Sequence, residues 1–194
     1  MFATLRLPGL ILGYHGTSHA LVKRVLAGKV DLASSANSHD WLGPGIYFWQ
    51  DSPARAVDRA REQASRGAPG EPAVLGAVIQ PGNTLAVTDF GNRAELRHAF
   101  NVLVKICRKQ RVPLPANRAT THGIAMNRVL DCAVIETLHR TREEIGQPGY
   151  DTVTGFFEEG DIAFPGAGFK EKTHLQIAVR NPAAILGYFR VRGY

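Results

Sequence analysis

Apolar positions along the chain recur at two spacings, one typical of strands and the other typical of helices. Short β-branched and aromatic runs bounded by turn residues predict strands, whereas apolar residues three or four positions apart predict helices. Predicted strands at both ends of the chain, with helices inserted between them, favour an α+β fold over regular strand–helix alternation. The predicted strands cover residues 10–14, 30–33, 45–49, 73–79, 84–88, 173–180 and 185–191.

Capping residues mark where the predicted helices begin and end. Ser18 and Ser52 are suited to cap helix N-termini, and Pro53 follows Ser52 at the first helical position. Gly28 is expected to end the first helix, and the second should run to about Ser65. Two further helices are predicted at about 93–111 and 124–143.

Turn residues connect the predicted strands. The segment 15–17, His-Gly-Thr, is expected to form a turn after the first strand. The segment 81–83, Pro-Gly-Asn, predicts a hairpin between strands 73–79 and 84–88, and Asn181-Pro182 predicts a terminal hairpin. Residues 34–44 read as a polar loop, and residues 146–168 as a glycine-rich, acidic stretch.

The strand predicted at 173–180 has an unusual distribution of polar residues. Side chains alternate between the two faces of a strand. One face carries Thr173, Leu175, Ile177 and Val179, and the other carries His174, Gln176 and Ala178. A half-polar face indicates either solvent exposure or a site.

The composition is that of a globular protein of ordinary size. Of 194 residues, 44% are hydrophobic and 21% charged, so a single domain over 1–194 is expected. No run reaches the roughly 18 apolar residues of a membrane helix, and the first residues lack a signal-peptide pattern. We therefore expect a cytoplasmic protein without a membrane partner. Cys107 and Cys132 should be reduced core residues, and the seven histidines show no metal-ligand spacing, so no metal is expected.

The net charge of +6 and the pI near 9.6 leave two interpretations open. A basic surface suits a polyanion such as nucleic acid, but many basic enzymes carry such charge for solubility alone. No dense Lys/Arg run or basic-aromatic motif favours the first interpretation.

Two segments combine glycines with polar and aromatic residues at predicted strand ends, 13–18 (GYHGTS) and 40–49 (DWLGPGIYFW). Glycine lets a backbone approach a ligand closely. A flat amide such as nicotinamide is suited to a backbone N–H and C=O pair together with an aromatic face. Gly16 could supply the pair and Tyr47 the face, while His15 could donate a hydrogen bond to a ribose hydroxyl. Alone, each segment is more typical of a plain turn or a core strand.

Taken together, the two segments resemble the ADP-ribosyltransferase superfamily, in particular the branch that contains diphtheria toxin and the poly(ADP-ribose) polymerases. That branch has a His-Gly-Thr/Ser turn, then a Gly-x-Gly-Ile-Tyr-Phe strand, then a catalytic residue, usually Glu, on a late strand. The specific match covers residues 14–49, with a looser likeness at 173–191. The resemblance implies an ADP-ribosyltransferase-like split β-sandwich with inserted helices, NAD⁺ as the co-substrate and no metal.

The resemblance also implies roles for individual residues. His15 would bind the adenosine ribose, and Gly16 would pair its backbone with the nicotinamide amide. Thr17 and Ser18 would help to hold the ribose and phosphate region, and Tyr47 would stack on nicotinamide. Asn37 stands on the loop before the Tyr47 strand, where the dinucleotide or the target could lie.

The sequence departs from the family pattern at two places. A second tyrosine usually follows the first by about eleven residues, but Asp58 stands there, so the ring sandwich is incomplete or is closed by Trp49. The expected catalytic glutamate is also absent from the late strand. Its place falls to Gln176 first, then His174, then Glu159 reaching in from the preceding loop.

The function implied is transfer of a single ADP-ribose from NAD⁺ to a macromolecular acceptor, with nucleic acid slightly favoured over protein. A compact basic transferase fits a bacterial toxin, a toxin–antitoxin component with an inhibitory partner, or an anti-phage effector. Two alternatives stay open. One is a non-catalytic module that binds NAD⁺, ADP-ribose or a nucleic acid, and the other is an NAD⁺ glycohydrolase, in which water takes the acceptor's place.

Overall fold

The computed structural model describes residues 9–119 and 125–194, and the α+β prediction is confirmed. The strands are β1 Ile11–Ser18, β2 Ile46–Gln50, β3 Pro72–Ile79, β4 Thr84–Ala86, β5 Arg118–Ala119, β6 Ala125–Asn127, β7 Thr152–Phe157, β8 His174–Val179 and β9 Ile185–Arg190. The helices are α1 His19–Leu26, α2 Pro53–Ser65, α3 Arg93–Gln110 and α4 Val129–Glu144.

Seven strands form one mixed sheet in the order β4-β7-β8-β2-β1-β3-β9. The edge strand β4 runs parallel to β7, and every other neighbouring pair is antiparallel. Strands β5 and β6 form a separate two-stranded ribbon. The two strand-forming segments singled out in the sequence therefore lie next to each other as β1 and β2 in the middle of the sheet.

Helix boundaries set by local signals agree with the structure. The Ser18 hydroxyl accepts a hydrogen bond from the N–H of Leu21 at 3.3 Å, and the Ser52 hydroxyl accepts one from the N–H of Arg55 at 3.4 Å. Gly28 adopts a φ of +66°, which favours glycine, directly after the first helix. These features are local, since each depends on residues at most four positions apart.

Both predicted hairpins are wrong. β3 pairs with β1 and β9, whereas β4 lies at the far edge beside β7, and β8 and β9 are likewise separated in the sheet. The reason is a shared anchor at Asp151, just before β7. Its carboxylate accepts hydrogen bonds from the backbone N–H of Asn83 at 2.9 Å and from the side-chain amide of Asn181 at 2.8 Å. Each turn is thus held against the start of β7 and does not fold its own two strands together.

Two other local predictions fail. The segment 15–17 is not a turn, because β3 pairs with β1 residue by residue as far as Ser18 opposite Pro72. Residues 30–33 form no strand, although Leu32 is buried in the core. The apolar residue at this position was therefore a sign of burial and not of strand pairing.

Strand β7 was hidden within the glycine-rich stretch 146–168, and it contains Gly155. A methyl group on Gly155 would lie 2.8 Å from the Leu42 side chain, so the glycine serves close packing and does not break the strand. The predicted start of the last helix at residue 124 lies outside the described residues. Residues 125–127 form β6, and the helix begins at Val129.

The sheet has apolar clusters on both of its faces. One contains Phe48 of β2, Leu75 of β3 and Ile177 of β8, together with α1 side chains. The other contains Ala178 of β8 together with side chains of α3 and α4, including Leu138. Adjacent residues of β8 therefore belong to opposite clusters, as strand alternation requires.

Two expectations from composition can be compared with the structure. Cys107 and Cys132 are buried and form no disulfide. Within 9–119 and 125–194, no helix is long and apolar enough to cross a membrane. Residues 1–8, which carried the expectation about a signal peptide, lie outside the described residues.

Helix α2 packs very closely against β1 at Gly16. A Cβ atom added to Gly16 would lie 1.9 Å from the carbonyl oxygen of Ala56 and 2.9 Å from its carbonyl carbon. These are backbone atoms of a helix, so they cannot rotate away as a flexible side chain would. The glycine is therefore required by the helix–strand contact, independently of any ligand.

We predict that Gly16→Ala lowers the free energy of unfolding by about 1–3 kcal/mol, because α2 must move to admit the methyl group. Urea denaturation measures the loss. Gly149→Ala is the matched control, since a Cβ there has no atom within 4 Å, and its unfolding free energy should change little. Equal stability of both variants would contradict the close approach of α2.

Candidate functional site

The strands β1 and β2 pair over only two residues before they diverge. Gly13 lies opposite Gln50 and Tyr14 lies opposite Trp49, and no further pair joins the two strands. On its other side, β1 stays paired with β3 along its whole length. A gap therefore opens between β1 and β2 beyond Tyr14.

Two hydrogen bonds show which way the backbone groups of β1 point. The C=O of Leu12 accepts from the N–H of Asp51 toward β2, and the N–H of His19 donates to the C=O of Glu71 toward β3. Because backbone groups alternate in direction along a strand, Gly16 directs its N–H and C=O toward β2. β2 has already diverged there, so the buried backbone of Gly16 meets no partner from that strand. Buried backbone groups are nearly always paired, so the edge of β1 that β2 leaves at Gly16 makes this position a candidate binding site.

The ring of His15 occupies the gap between the two strands. Its Nδ1 lies 2.8 Å from the backbone carbonyl oxygen of Tyr47, and its ring meets Phe48 edge to face at 5.8 Å. Burial lowers the pKa of His15 below 6.5, although the bond to Tyr47 opposes the shift. A carbonyl oxygen can only accept, so the neutral ring carries its proton on Nδ1 and keeps an acceptor at Nε2. The expected donor role toward a ribose hydroxyl is therefore reversed, since Nε2 would accept from that hydroxyl.

The Tyr47 side chain is held by the loop that precedes its strand. Its hydroxyl accepts from the N–H of Leu42 at 2.9 Å and donates to the C=O of Gly43 at 2.7 Å. The ring packs against the apolar cluster that contains side chains of α3 and α4, and burial raises the pKa of the phenol. Tyr47 is therefore both a candidate stacking residue and an anchor of the 34–44 loop. Truncation to alanine would remove core packing as well as the ring.

A second group of candidates meets on β8, directly beside β2. Gln176 lies opposite Trp49 across the two strands, and its side-chain nitrogen lies 2.9 Å from Nε2 of His174. Nδ1 of His174 lies 2.5 Å from the carbonyl oxygen of Lys172, which can only accept. The proton of His174 is therefore on Nδ1, and the amide of Gln176 donates to Nε2. This fixes the amide so that its oxygen is left as an acceptor.

Glu159 also reaches this group, but it is engaged in an ion pair. Its carboxylate lies 2.5 Å from the guanidinium of Arg55 and 4.0 Å from Nδ1 of His174. Desolvation lowers the pKa of His174, although the contact with Lys172 and the charge of Glu159 oppose the shift. All three catalytic candidates are thus brought together, and among the described residues the amide oxygen of Gln176 has no hydrogen-bond partner.

Trp49 is buried, with its ring packed against Ala56, Val57 and Val74. The guanidinium of Arg55 lies over this ring at 5.5 Å from its centroid. The ring face that a nicotinamide would need is therefore covered. The indole N–H is buried without a hydrogen-bond partner in the described part of the chain.

The remaining candidates have defined structural roles. Ser18 caps α1, and Thr17 is paired with Ala73 on β3 next to the gap. Asn37 is exposed and folded into its own loop, where its N–H donates to the Asp40 carboxylate at 2.8 Å. Its contacts do not include the residues gathered at β1, β2 and β8.

The sequence could not assign roles to the ionic groups around Gln176. Arg55 and Lys172 both bind Asp58, at 3.1 and 2.9 Å, and Lys172 also binds Glu62 at 2.7 Å. Arg55, Asp58 and Glu62 are spaced along α2 as ordinary helix-surface ion pairs are, and this spacing predicts a solvated face. Only the position of Lys172, just before β8, turns these pairs into part of the candidate site.

No cluster of metal-ligating side chains occurs in the ranges that the structure describes. A scan of the sequence against models of protein families finds no match. A search of curated proteins finds no significantly similar sequence. The case for a function therefore rests on the geometry of the chain itself.

We predict that the rings of His15 and His174 are neutral at pH 7, with the proton on Nδ1 in each. Imidazole nitrogen chemical shifts in labelled protein measure the tautomer directly. On acidification, each ring should gain its second proton at a pH below 6.5, because burial disfavours the charged form. An Nε2–H tautomer for His174 would contradict the assigned bond from Gln176.

Proposed function

We propose that the chain is a mono-ADP-ribosyltransferase that binds NAD⁺ at the gap between β1 and β2. The observation that carries the proposal is the backbone of Gly16, which faces this gap without a partner on β2. A carboxamide offers one N–H donor and one C=O acceptor in a plane, as a neighbouring strand would. The nicotinamide amide would thus take the place that β2 leaves.

The side chains around the gap are suited to the rest of the dinucleotide. His15 presents Nε2 as an acceptor for a ribose hydroxyl, and Tyr47 lies on the strand across the gap. Tyr47 and Gln176 share one face of the neighbouring strands β2 and β8, because Trp49 lies opposite Gln176. Gln176 would accept a hydrogen bond from the nicotinamide ribose through its free amide oxygen.

The proposed fold is the split β-sandwich of the ADP-ribosyltransferases. The early end of pairing between β1 and β2 divides the sheet into a β4-β7-β8-β2 part and a β1-β3-β9 part. Side chains from β2 and β8 and from β3 nevertheless belong to one apolar cluster. This arrangement supports the proposal because it opens a crevice at the strand ends without dividing the core.

In the proposed reaction, the bond between nicotinamide nitrogen and C1 of the ribose breaks, and nicotinamide leaves with the bonding electron pair. The acceptor attacks C1, and its proton is released. Gln176 carries no charge, so it can orient the ribose but gives little electrostatic stabilisation to an oxocarbenium-like transition state. The site would therefore act mainly by positioning, which suits the transfer of single ADP-ribose groups.

A non-catalytic NAD⁺-binding module is the second candidate, and one observation favours it. Asp58, where relatives carry the second stacking tyrosine, is bound to Arg55 and Lys172, and the Trp49 ring is covered. The nicotinamide ring would then have one aromatic neighbour only, Tyr47. Such a module would retain NAD⁺ without releasing nicotinamide.

Nicotinamide release from NAD⁺ tests the proposal. Purified protein is incubated with NAD⁺ alone, with RNA, with DNA and with protein from a lysate, and each acceptor is examined by mass spectrometry. We expect release that depends on one acceptor class, with one ADP-ribose mass added. Release in buffer alone would indicate a glycohydrolase, and bound NAD⁺ without release would leave the binding module.

We further predict that Gln176→Leu lowers the rate of nicotinamide release about tenfold or more, through loss of one hydrogen bond to the ribose. Gln110→Leu, an exposed glutamine at the end of α3, is the matched control and should leave the rate unchanged. An unchanged rate in the Gln176 variant would remove this residue from the site.

The rate should also fall as the pH is lowered through the pKa of His174, which lies below 6.5. A proton on Nε2 of His174 can no longer accept from the Gln176 amide, so the amide must turn and lose its acceptor orientation. Glu159 and Arg55 are the charged groups that face this ring. His174→Leu should have a lower rate at pH 7 but a smaller decrease on acidification. If the rate fell equally on acidification in the unmodified protein and in the His174→Leu variant, the decrease would be due to another group, such as His15.

A further inference from the structure

A cavity of about 340 Å³ lies beside the proposed NAD⁺ site, on the other side of β1. Its walls come from the start of α1, the start of β3 and residues 190–194. On β3, Ala73 and Val74 line the cavity, and they are the strand partners of Thr17 and Gly16. Since paired strands lie about 4.8 Å apart, the cavity and the Gly16 backbone are close neighbours.

Two unpaired arginines stand at this cavity. The side chains of Arg190 and Arg192 are both exposed, and neither forms a side-chain hydrogen bond or an ion pair with any residue that the structure describes, although the Arg190 backbone pairs with Leu75 on β3. Other arginines near the proposed site, such as Arg55, are bound to carboxylates. The imidazole ring of His19 also lines the cavity. Its Nδ1 lies 3.8 Å from the carboxylate of Glu71. Two guanidinium groups therefore line this cavity, whereas its lining residues include no acidic side chain.

The floor of the cavity is apolar. Val22, Ala73, Val74 and Val191 line it, and Tyr194 adds an exposed aromatic ring at its rim. A volume of this size is at the lower end of the range for ligand sites, enough for one nucleotide unit. Unpaired arginines beside an apolar floor and an aromatic ring are the elements with which proteins hold a single-stranded nucleic acid.

We propose that this cavity binds one nucleotide of a single-stranded nucleic acid, and that this strand is the ADP-ribose acceptor. Arg190 and Arg192 would contact its phosphates, and the base would lie on the apolar floor. The inference rests on the proposed function for the acceptor role, but the binding of the strand can be measured alone. The carboxylates of an acidic protein segment would also bind the two arginines. Acidic side chains carry no planar ring, however, so they would not cover the apolar floor as a base would.

The test is the affinity of fluorescent single-stranded RNA and DNA of one sequence, measured by anisotropy at several salt concentrations. Arg190→Gln/Arg192→Gln should raise the Kd at least about tenfold. It should also reduce the dependence of log K on log salt by about 1.4, since each phosphate contact contributes about 0.7 on a single strand. Comparison of the affinities for RNA and for DNA shows which of the two nucleic acids the cavity binds.

The matched control is Arg93→Gln/Arg97→Gln, which removes the same charge from exposed positions on α3, a helix that does not line the cavity. Its Kd should stay within about twofold of the unmodified protein's, the effect of diffuse charge at physiological salt. Equal weakening by both double variants would overturn the inference, because diffuse surface charge would then explain the binding. No binding of either strand, or equally tight binding of an acidic peptide of the same charge, would also overturn it.

Nicotinamide release is measured separately with both double variants. With the correct strand present, the Arg190/Arg192 variant should show a KM for the strand at least about tenfold higher, with NAD⁺ binding unchanged. If no protein releases nicotinamide but the strand still binds through Arg190 and Arg192, the proposed function fails while the nucleic-acid site stands. If release occurs but the strand KM does not depend on these arginines, the acceptor site lies elsewhere.

Discussion

The candidate site depends on the contact between α2 and the backbone of β1 at Gly16. The helix lies so close that no side chain fits between Ala56 and the strand. β1 is therefore held between α2 and β3, while β2 departs after Trp49. The gap that results is bridged by one side chain, His15, which binds a carbonyl of β2 through its ring. A backbone that would ordinarily complete a sheet is left facing the space between the strands.

The same helix organises the second half of the site. Ala56 faces Gly16, and its neighbour Arg55 covers the Trp49 ring and binds Glu159. One turn later, Asp58 binds Lys172 at the entry to β8. A displacement of α2 would therefore disturb both the strand gap and the surroundings of Gln176. The two groups of candidate residues, far apart in sequence, share one support.

Much of the fold was visible in the sequence, but strand pairing was not. The caps at Ser18 and Ser52 and the stop at Gly28 depend on residues a few positions away, and they were predicted correctly. The order of the sheet brings together distant segments, and Asp151 binds two turns that are about a hundred residues apart in the chain. Nothing local to either turn distinguishes such an anchor from an ordinary hairpin. Long-range contacts of this kind can be found only in the folded chain.

The same division applies to the candidate residues. Strand alternation alone placed His174 and Gln176 on one face, and the structure adds a hydrogen bond between them. The proton position on His15 could not be predicted, because it depends on the carbonyl of Tyr47, thirty-two residues away. The sequence could not assign a role to Arg55, because its helix pairs look like ordinary surface ion pairs until Glu159 and Trp49 are seen beside it.

The pairing of His174 with Gln176 gives a physical reason for an amide, and not a carboxylate, at position 176. The carbonyl of Lys172 keeps the proton of His174 on Nδ1, so Nε2 presents a lone pair to residue 176. An amide N–H satisfies that lone pair, whereas a carboxylate would face it with another acceptor unless the ring took up a second proton. Burial opposes that second proton. A neutral histidine and a neutral amide are therefore matched to each other, whereas a carboxylate at position 176 would require the buried ring to take up a charge.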